Sequence, residues 1–150
     1  MVASAVMSAL HLLALALGLP SVFLRGRALR GKLDDAGLRR LFAADTVWGI
    51  AAGLWVATGL LRAFGGLEKG SQFYLSSPLF WVKMALLATV ILLEIWPMAT
   101  FIRWRIARGR GDTPNTVRAR SLYVVNQLQV GLVVVMVFVA SLMARGFGLS

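Results

Sequence analysis

Residues 3–24 read ASAVMSALHLLALALGLPSVFL, a run with no charged side chain and a single imidazole, His11. A hydrocarbon core about 30 Å thick is crossed by roughly 20 apolar residues wound as helix. This run is long enough to cross by itself. A cleavable signal would need a basic stretch ahead of a short apolar core. Here Met1–Leu10 carries no charge and the apolar run is too long, so the segment is expected to stay as a helix.

Three further windows meet the same criterion: residues 43–61, 79–101 and 122–143. Helices satisfy their backbone hydrogen bonds internally, as lipid requires. The expected fold is therefore all-α, a four-helix integral membrane bundle formed by residues 1–150 as one transmembrane domain. Composition agrees. Apolar residues make up 59% of the chain and charged residues 15%, against about 45–50% and 25% in soluble domains. Mean hydropathy is +0.77. This composition excludes a disordered chain. With no cysteine, disulfide frameworks, Cys-ligated zinc, iron–sulfur centres and Cys nucleophiles are excluded as well.

Charge sets the orientation. Arg25, Arg27, Arg30, Lys32, Arg39 and Arg40 fall in the first loop, and Arg103, Arg105, Arg108, Arg110, Arg118 and Arg120 in the third. The second loop and its flanks hold only Arg62 and Lys69, and Arg145 follows the last span. By the positive-inside rule, loops one and three are cytoplasmic and both termini lie outside. This implies a multi-pass protein of the bacterial inner membrane. Twelve of the sixteen basic residues sit in these two loops, so the net charge of +10 reads as a topology signal that also attracts anionic lipid headgroups. It does not point to nucleic acid. In the first loop, Asp34 or Asp35 is expected to cap a short surface helix over 36–42. The second loop is Gly- and Ser-rich, and Ser77–Pro78 is expected to start the third span.

Ionisable residues inside a membrane are functional candidates by default. His11, Asp45, Lys83 and Glu94 qualify, joined by Asn126, Gln127 and Gln129. His11 and Lys83 lie in the outer half at depths differing by roughly 6 Å, so an outer layer of His11, Lys83 and Arg62 is expected. Asp45, Glu94, Asn126 and Gln127 form an inner layer near the cytoplasmic side. Lys83 and Glu94 are rotated by only roughly 20° from each other and share a face. Met7, His11, Ala14 and Gly18 on the first span, and Gly49, Ala52, Gly53 and Gly59 on the second, make faces that permit close helix approach or leave room for a flat ligand.

Simpler roles exist for each residue. His11 can hydrogen-bond a neighbouring helix, and Lys83 can snorkel outward. Asp45 can cap its helix or pair with a loop arginine, and Glu94 can pair with Arg103. The amides can join helices. Trp48, Trp81, Trp96 and Trp104 fit aromatic belts, whereas Trp55, nearer mid-span, is expected to pack against a neighbour.

The segments LFAADTVWGIAAGLWVATGLLRAF, EKGSQFYLSSPLFWVKMALL and PMATFIRWR resemble an uncharacterised family of predicted four-helix bacterial membrane proteins over most of the chain. A more distant resemblance rests on the histidine of LHLLALALG, the arginine of FLRGRAL and the lysine of FWVKMALL. It is to the superfamily of HemJ-type protoporphyrinogen oxidases and CopD-type copper-resistance proteins. HemJ proteins carry a histidine in the first helix and a lysine in the third, both implicated in binding heme b. The resemblance therefore implies His11 as an axial iron ligand and Lys83 as a sixth ligand or a partner of a heme propionate, with Arg62 in that second role too. This sequence has Arg25–Arg30 where HemJ proteins often show a second histidine. With one histidine, bis-histidine ligation within one chain is excluded, and Met84 is another candidate ligand.

The expected function is that of a heme b redox protein, passing electrons to a quinone or oxidising a porphyrinogen. Asp45, Glu94, Asn126 and Gln127 would supply a proton path from the inner side. A second class is a non-enzymatic accessory or assembly subunit of a larger respiratory or photosynthetic complex, or a homo-oligomer. Copper or small-solute transport is less favoured, since no repeat is visible. The orientation predicts that a reporter fused to the C-terminus reads as extracytoplasmic; a cytoplasmic signal would invert the bundle.

Overall fold

A computed structural model describes residues 2–66 and 71–147; Lys69 of the second loop lies outside them. Four helices are long and apolar enough to cross a membrane: α1 (Val2–Arg30), α2 (Asp35–Phe64), α4 (Pro78–Gly109) and α5 (Ala119–Ala144). The short α3 (Ser71–Ser76) precedes α4. The chain is an all-helical membrane bundle, as expected.

Each expected span lies inside a longer helix. Arginine is a good helix former, and in the wet headgroup region it costs little, so the basic flanks continue the helices. α1, with 29 residues, is about 44 Å long. It stops at Gly31, whose N–H closes on the carbonyls of Arg27 and Ala28. The Asp34 carboxylate caps at 2.8 Å from the Gly37 N–H, as foreseen, but the helix it starts is α2 itself. No separate surface helix forms over 36–42, because the apolar periodicity of Leu38 and Leu41 runs on into the span. Ser77 is the N-cap of α4 with Pro78 in its first turn, matching the sequence expectation. α3 replaces part of the expected loop and is held to α4 by Trp81, whose indole N–H donates to the Leu75 carbonyl at 3.1 Å.

Buried residues recur at spacings of three and four. On α1 they include His11, Ala14, Gly18, Val22, Arg25 and Leu29. On α5 they include Leu122, Asn126, Gln129, Val133, Met136 and Met143. This seam-forming repeat suits helices crossing at shallow angles. α1 packs closely against α2 and α5, and α5 packs against α4. α2 and α4 do not approach closely. Their seam is spanned by side chains: Trp48 to Glu94, Arg105 to Asp45 and Arg108 to Asp35. At the other end the same seam widens into a cavity beside α3.

Two sequence expectations are corrected here. Of the small face on α2, only Ala52 and Gly59 turn inward. Gly49 and Gly53 are exposed, with open space where a Cβ would stand. Ala51, one position out of the expected phase, packs near Gly18 instead. The tryptophans are also not all belt residues. Trp48 and Trp104 are buried in the core, whereas Trp81 is exposed.

Gly26 on α1 is the tightest crossing with α5, where an added Cβ would lie 2.6 Å from the Asn126 amide nitrogen. Gly26→Ala is expected to destabilise the bundle by about 1–3 kcal/mol through overpacking. Gly53→Ala should be neutral or slightly stabilising. Thermal unfolding in detergent measures both, and equal effects would contradict the packing.

Candidate functional site

The polar side chains collect in two layers, one at each end of the bundle. The inner layer, at the basic end, is centred on Arg25. This side chain is completely buried, although the sequence places it among the loop residues. All five of its guanidinium hydrogens have acceptors. Nε donates to Asn126 Oδ1 at 2.7 Å. Nη1 donates to Asp45 Oδ1 at 3.0 Å and Glu94 Oε1 at 2.6 Å. Nη2 donates to Glu94 Oε2 at 2.9 Å and Gln129 Oε1 at 2.8 Å. The Arg25–Glu94 pair is thus bidentate, the strong form of such a bond.

The partners are fixed in turn. Gln129 Nε2 and the Trp48 indole N–H donate to Glu94 Oε2 at 2.6 and 3.1 Å. Asn126 Nδ2 donates to the Val22 carbonyl at 2.9 Å. Arg105 reaches Asp45 Oδ2 at 2.9 Å. Two guanidinium groups face two carboxylates, so the layer is charge-balanced.

Three of the four expected inner-layer residues, Asp45, Glu94 and Asn126, meet here. Gln127 does not: it is exposed and donates to the Tyr123 hydroxyl at 3.0 Å. One step of 100° separates it from the buried stripe, and Gln129 takes its place. Glu94 pairs with Arg25 in place of Arg103, which turns back to the Ala99 carbonyl. Asp45 does pair with arginines, Arg25 and Arg105.

The outer layer lines a cavity of about 390 Å³ between α1, α2, α4 and α5, with α3 at its side. His11, Arg62 and Lys83 all contribute to its wall, so the three residues expected together are brought together. The remaining lining is mostly apolar and includes Trp55, Phe80, Met84 and Met136. Such a size and character is typical of small-molecule sites.

His11 is 9% exposed, and its Nδ1 is 2.9 Å from Thr58 Oγ1. Thr58 Oγ1 also lies 2.6 Å from the Leu54 carbonyl. With the hydroxyl hydrogen directed there, Thr58 accepts from Nδ1 and the imidazole lone pair falls on Nε2. An anchored second nitrogen of this kind is the arrangement that orients a metal-binding imidazole. The ring stacks on Trp55 at a centroid distance of 5.7 Å. Gly59 makes room for it, since a Cβ there would lie 3.1 Å from His11 Cε1.

Trp55 is 8% exposed, and its indole N–H has no hydrogen-bond partner among the described residues. A buried orphan donor is unfavourable by about 1–3 kcal/mol unless a bound acceptor satisfies it. Among the described residues no three His, Cys, Asp or Glu side chains gather to hold a bare metal ion. Sequence reasoning placed Trp55 in packing alone and did not foresee Thr58; a hydroxyl on the buried phase of α2 next to a histidine-bearing helix was the available signal.

A family model described as predicted membrane protein (DUF2214) matches residues 3–148. The chain belongs to this family. No curated protein and no solved structure matches it.

Arg25 generates a stability prediction. Arg25→Met leaves Asp45 and Glu94 short of their buried counter-charge and is expected to destabilise by about 3–5 kcal/mol. Adding Glu94→Gln to Arg25→Met should recover part of that loss. Unfolding in detergent checks the series; an unchanged Arg25→Met variant would contradict the role of the network.

Proposed function

We propose that this member of the DUF2214 family is an inner-membrane redox protein that binds heme b in the outer cavity. The observation that carries the reading is the state of His11. Its Nδ1 is anchored to Thr58 and the ring lines a largely apolar cavity, an arrangement that supports iron ligation through Nε2 in the Nδ1–H tautomer. The other donors suit the same group. Arg62 and Lys83 bring positive charge to the cavity wall, matching carboxylates on the edge of an otherwise apolar ligand. The buried Trp55 N–H has no acceptor among the described residues and could donate to such a ligand. The resemblance to HemJ-type proteins supports the same ligand.

Heme b, when bound, supplies a one-electron centre whose potential is tuned by its axial ligands and surroundings. The chain's own residues do the rest. His11 would hold the iron through Nε2, with Thr58 and Trp55 positioning the ring. Lys83, Met84 and Met136 line the same cavity and could supply a second ligand. The apolar walls exclude water. A quinone of the bilayer is the proposed electron partner. Protons entering from the basic end would meet Asp45 and Glu94, both tied to Arg25, so their passage would require a guanidinium bond to open.

A second reading is an accessory subunit of a larger membrane complex. It is favoured by the near absence of structure outside the helices, with only short connections among the described residues.

Optical spectra of protein purified from heme-replete cells, oxidised and then dithionite-reduced, separate the two. The heme reading expects a Soret band with sharp reduced α and β bands at near-stoichiometric heme. His11→Ala should lose them, and Asp45→Asn should keep them. A colourless, well-folded protein would overturn the heme reading and favour the accessory subunit.

A further inference from the structure

At the basic end, on the outside of the α1–α5 seam, Leu29, Arg30, Arg120 and Tyr123 line a cleft of about 510 Å³. It is separate from the heme reading and from the Arg25 network. The Arg30 guanidinium lies over the Tyr123 ring, 5.6 Å from its centroid. This stacking holds the charged group toward the cleft instead of leaving it to roam in solvent. Arg120 enters from the first turn of α5. The Tyr123 hydroxyl accepts from Gln127, so its own hydrogen is left to donate. The cleft lining contains no carboxylate.

Among the arginines at this end, Arg30 and Arg120 are the two that line the cleft. Arg25, Arg39, Arg105 and Arg108 are each paired with Asp or Glu. Neither Arg30 nor Arg120 has an acidic partner among the described residues. Two unneutralised guanidinium groups and a phenol around one cleft form a site for a tetrahedral oxyanion. Its position adds a second requirement. Phe23, seven residues before Arg30, shares its face about 10 Å deeper in the bilayer. Val134, eleven residues after Tyr123, shares that residue's face of α5 about 16 Å deeper. Both are exposed apolar side chains, so the cleft continues into an acyl-chain-like environment. Basic pockets between helices at the cytoplasmic surface suit phospholipid headgroups.

We propose that this cleft binds the phosphate of an anionic phospholipid, held by Arg30, Arg120 and Tyr123, with its acyl chains along Phe23 and Val134. The bound lipid covers the α1–α5 seam beside the crossing at Gly26.

Native mass spectrometry of the full chain, released from mixed phosphatidylglycerol and phosphatidylcholine nanodiscs, tests the proposal. The unaltered protein is expected to retain phosphatidylglycerol preferentially. Equal retention of the two lipids would overturn the site. The Arg30→Gln, Arg120→Gln double variant should weaken phosphatidylglycerol retention roughly twenty- to thirtyfold, because each arginine near an anionic surface contributes about a fivefold factor. The Arg39→Gln, Arg40→Gln double variant removes the same charge from the same end and should retain most of the lipid; an equal loss would show diffuse attraction and overturn the site. Inorganic phosphate, titrated at millimolar concentration, should not displace the lipid. Complete displacement would assign the cleft to free phosphate and overturn the lipid assignment. The comparison of lipids on unaltered protein decides the question even if a variant fails to fold.

Discussion

A fully buried guanidinium group governs this bundle. Moving Arg25 out of water is strongly unfavourable, and the chain recovers the loss only by satisfying every hydrogen on the group. Five donors need acceptors in one plane, and no single helix can supply them. Asp45 comes from α2, Glu94 from α4, and Asn126 and Gln129 from α5. The geometry of one side chain of α1 therefore fixes the register of the other three spans. Apolar packing in lipid is weakly specific about register, since lipid tails are as apolar as leucine. The polar layer supplies the specificity that the hydrophobic effect cannot. Gly26 belongs to this device, because a larger residue beside Arg25 would push Asn126 away from it.

The two layers differ in a way that bears on function. In the inner layer every strong donor of Arg25 is engaged, and Trp48 and Gln129 complete the shell of Glu94. Such a closed set holds helices and has little left to offer a ligand. The outer layer instead surrounds a cavity: an imidazole anchored to Thr58, an indole N–H without an acceptor among the described residues, Arg62 and Lys83, and a wall of aromatic and thioether side chains. Preformed pockets have this composition, largely apolar with a few converging polar groups. The cavity is thus kept apart from the charges that hold the bundle together.

Much of this was legible in the sequence. The four spans followed from length and hydropathy, and the two layers followed from helix depth alone. His11, Lys83 and Arg62 were brought to one cavity, and Asp45, Glu94 and Asn126 to one cluster. The misses share a physical cause. Arg25 read as a loop residue because it directly follows the apolar run. Yet His11, Gly18 and Arg25 are spaced by seven, so extending the small-residue face of α1 carries it straight to the arginine. The same repeat separates Gln129, in phase with Asn126 and Val133, from Gln127, which is not. It also places Gly49 and Gly53 outside. Depth along a helix was read correctly, but rotation about the axis was applied over too short a stretch. The pairing of Glu94 with Arg25 instead of Arg103 was not legible, because it depends on which helices become neighbours.

The seam between α2 and α4 connects these points. These two helices stand apart, and what bridges them changes along their length. Toward the basic end the bridges are ionic or charge-assisted, through Glu94, Asp45 and Asp35. At the cavity end the contacts are aromatic, with Phe64 edge-on to Phe80 at 6.0 Å and Tyr74 of α3 beside them. Opening the ionic part would strand buried charges, whereas aromatic rings can slide and re-pack with small loss of dispersion energy. Local opening of the bundle is therefore expected at the end that holds His11. A flat apolar ligand approaching from the bilayer would pass between α2 and α4 there, over Gly59, and reach the imidazole without disturbing Arg25. The buried charge that ties the helices together at one end would thus direct any such opening to the other.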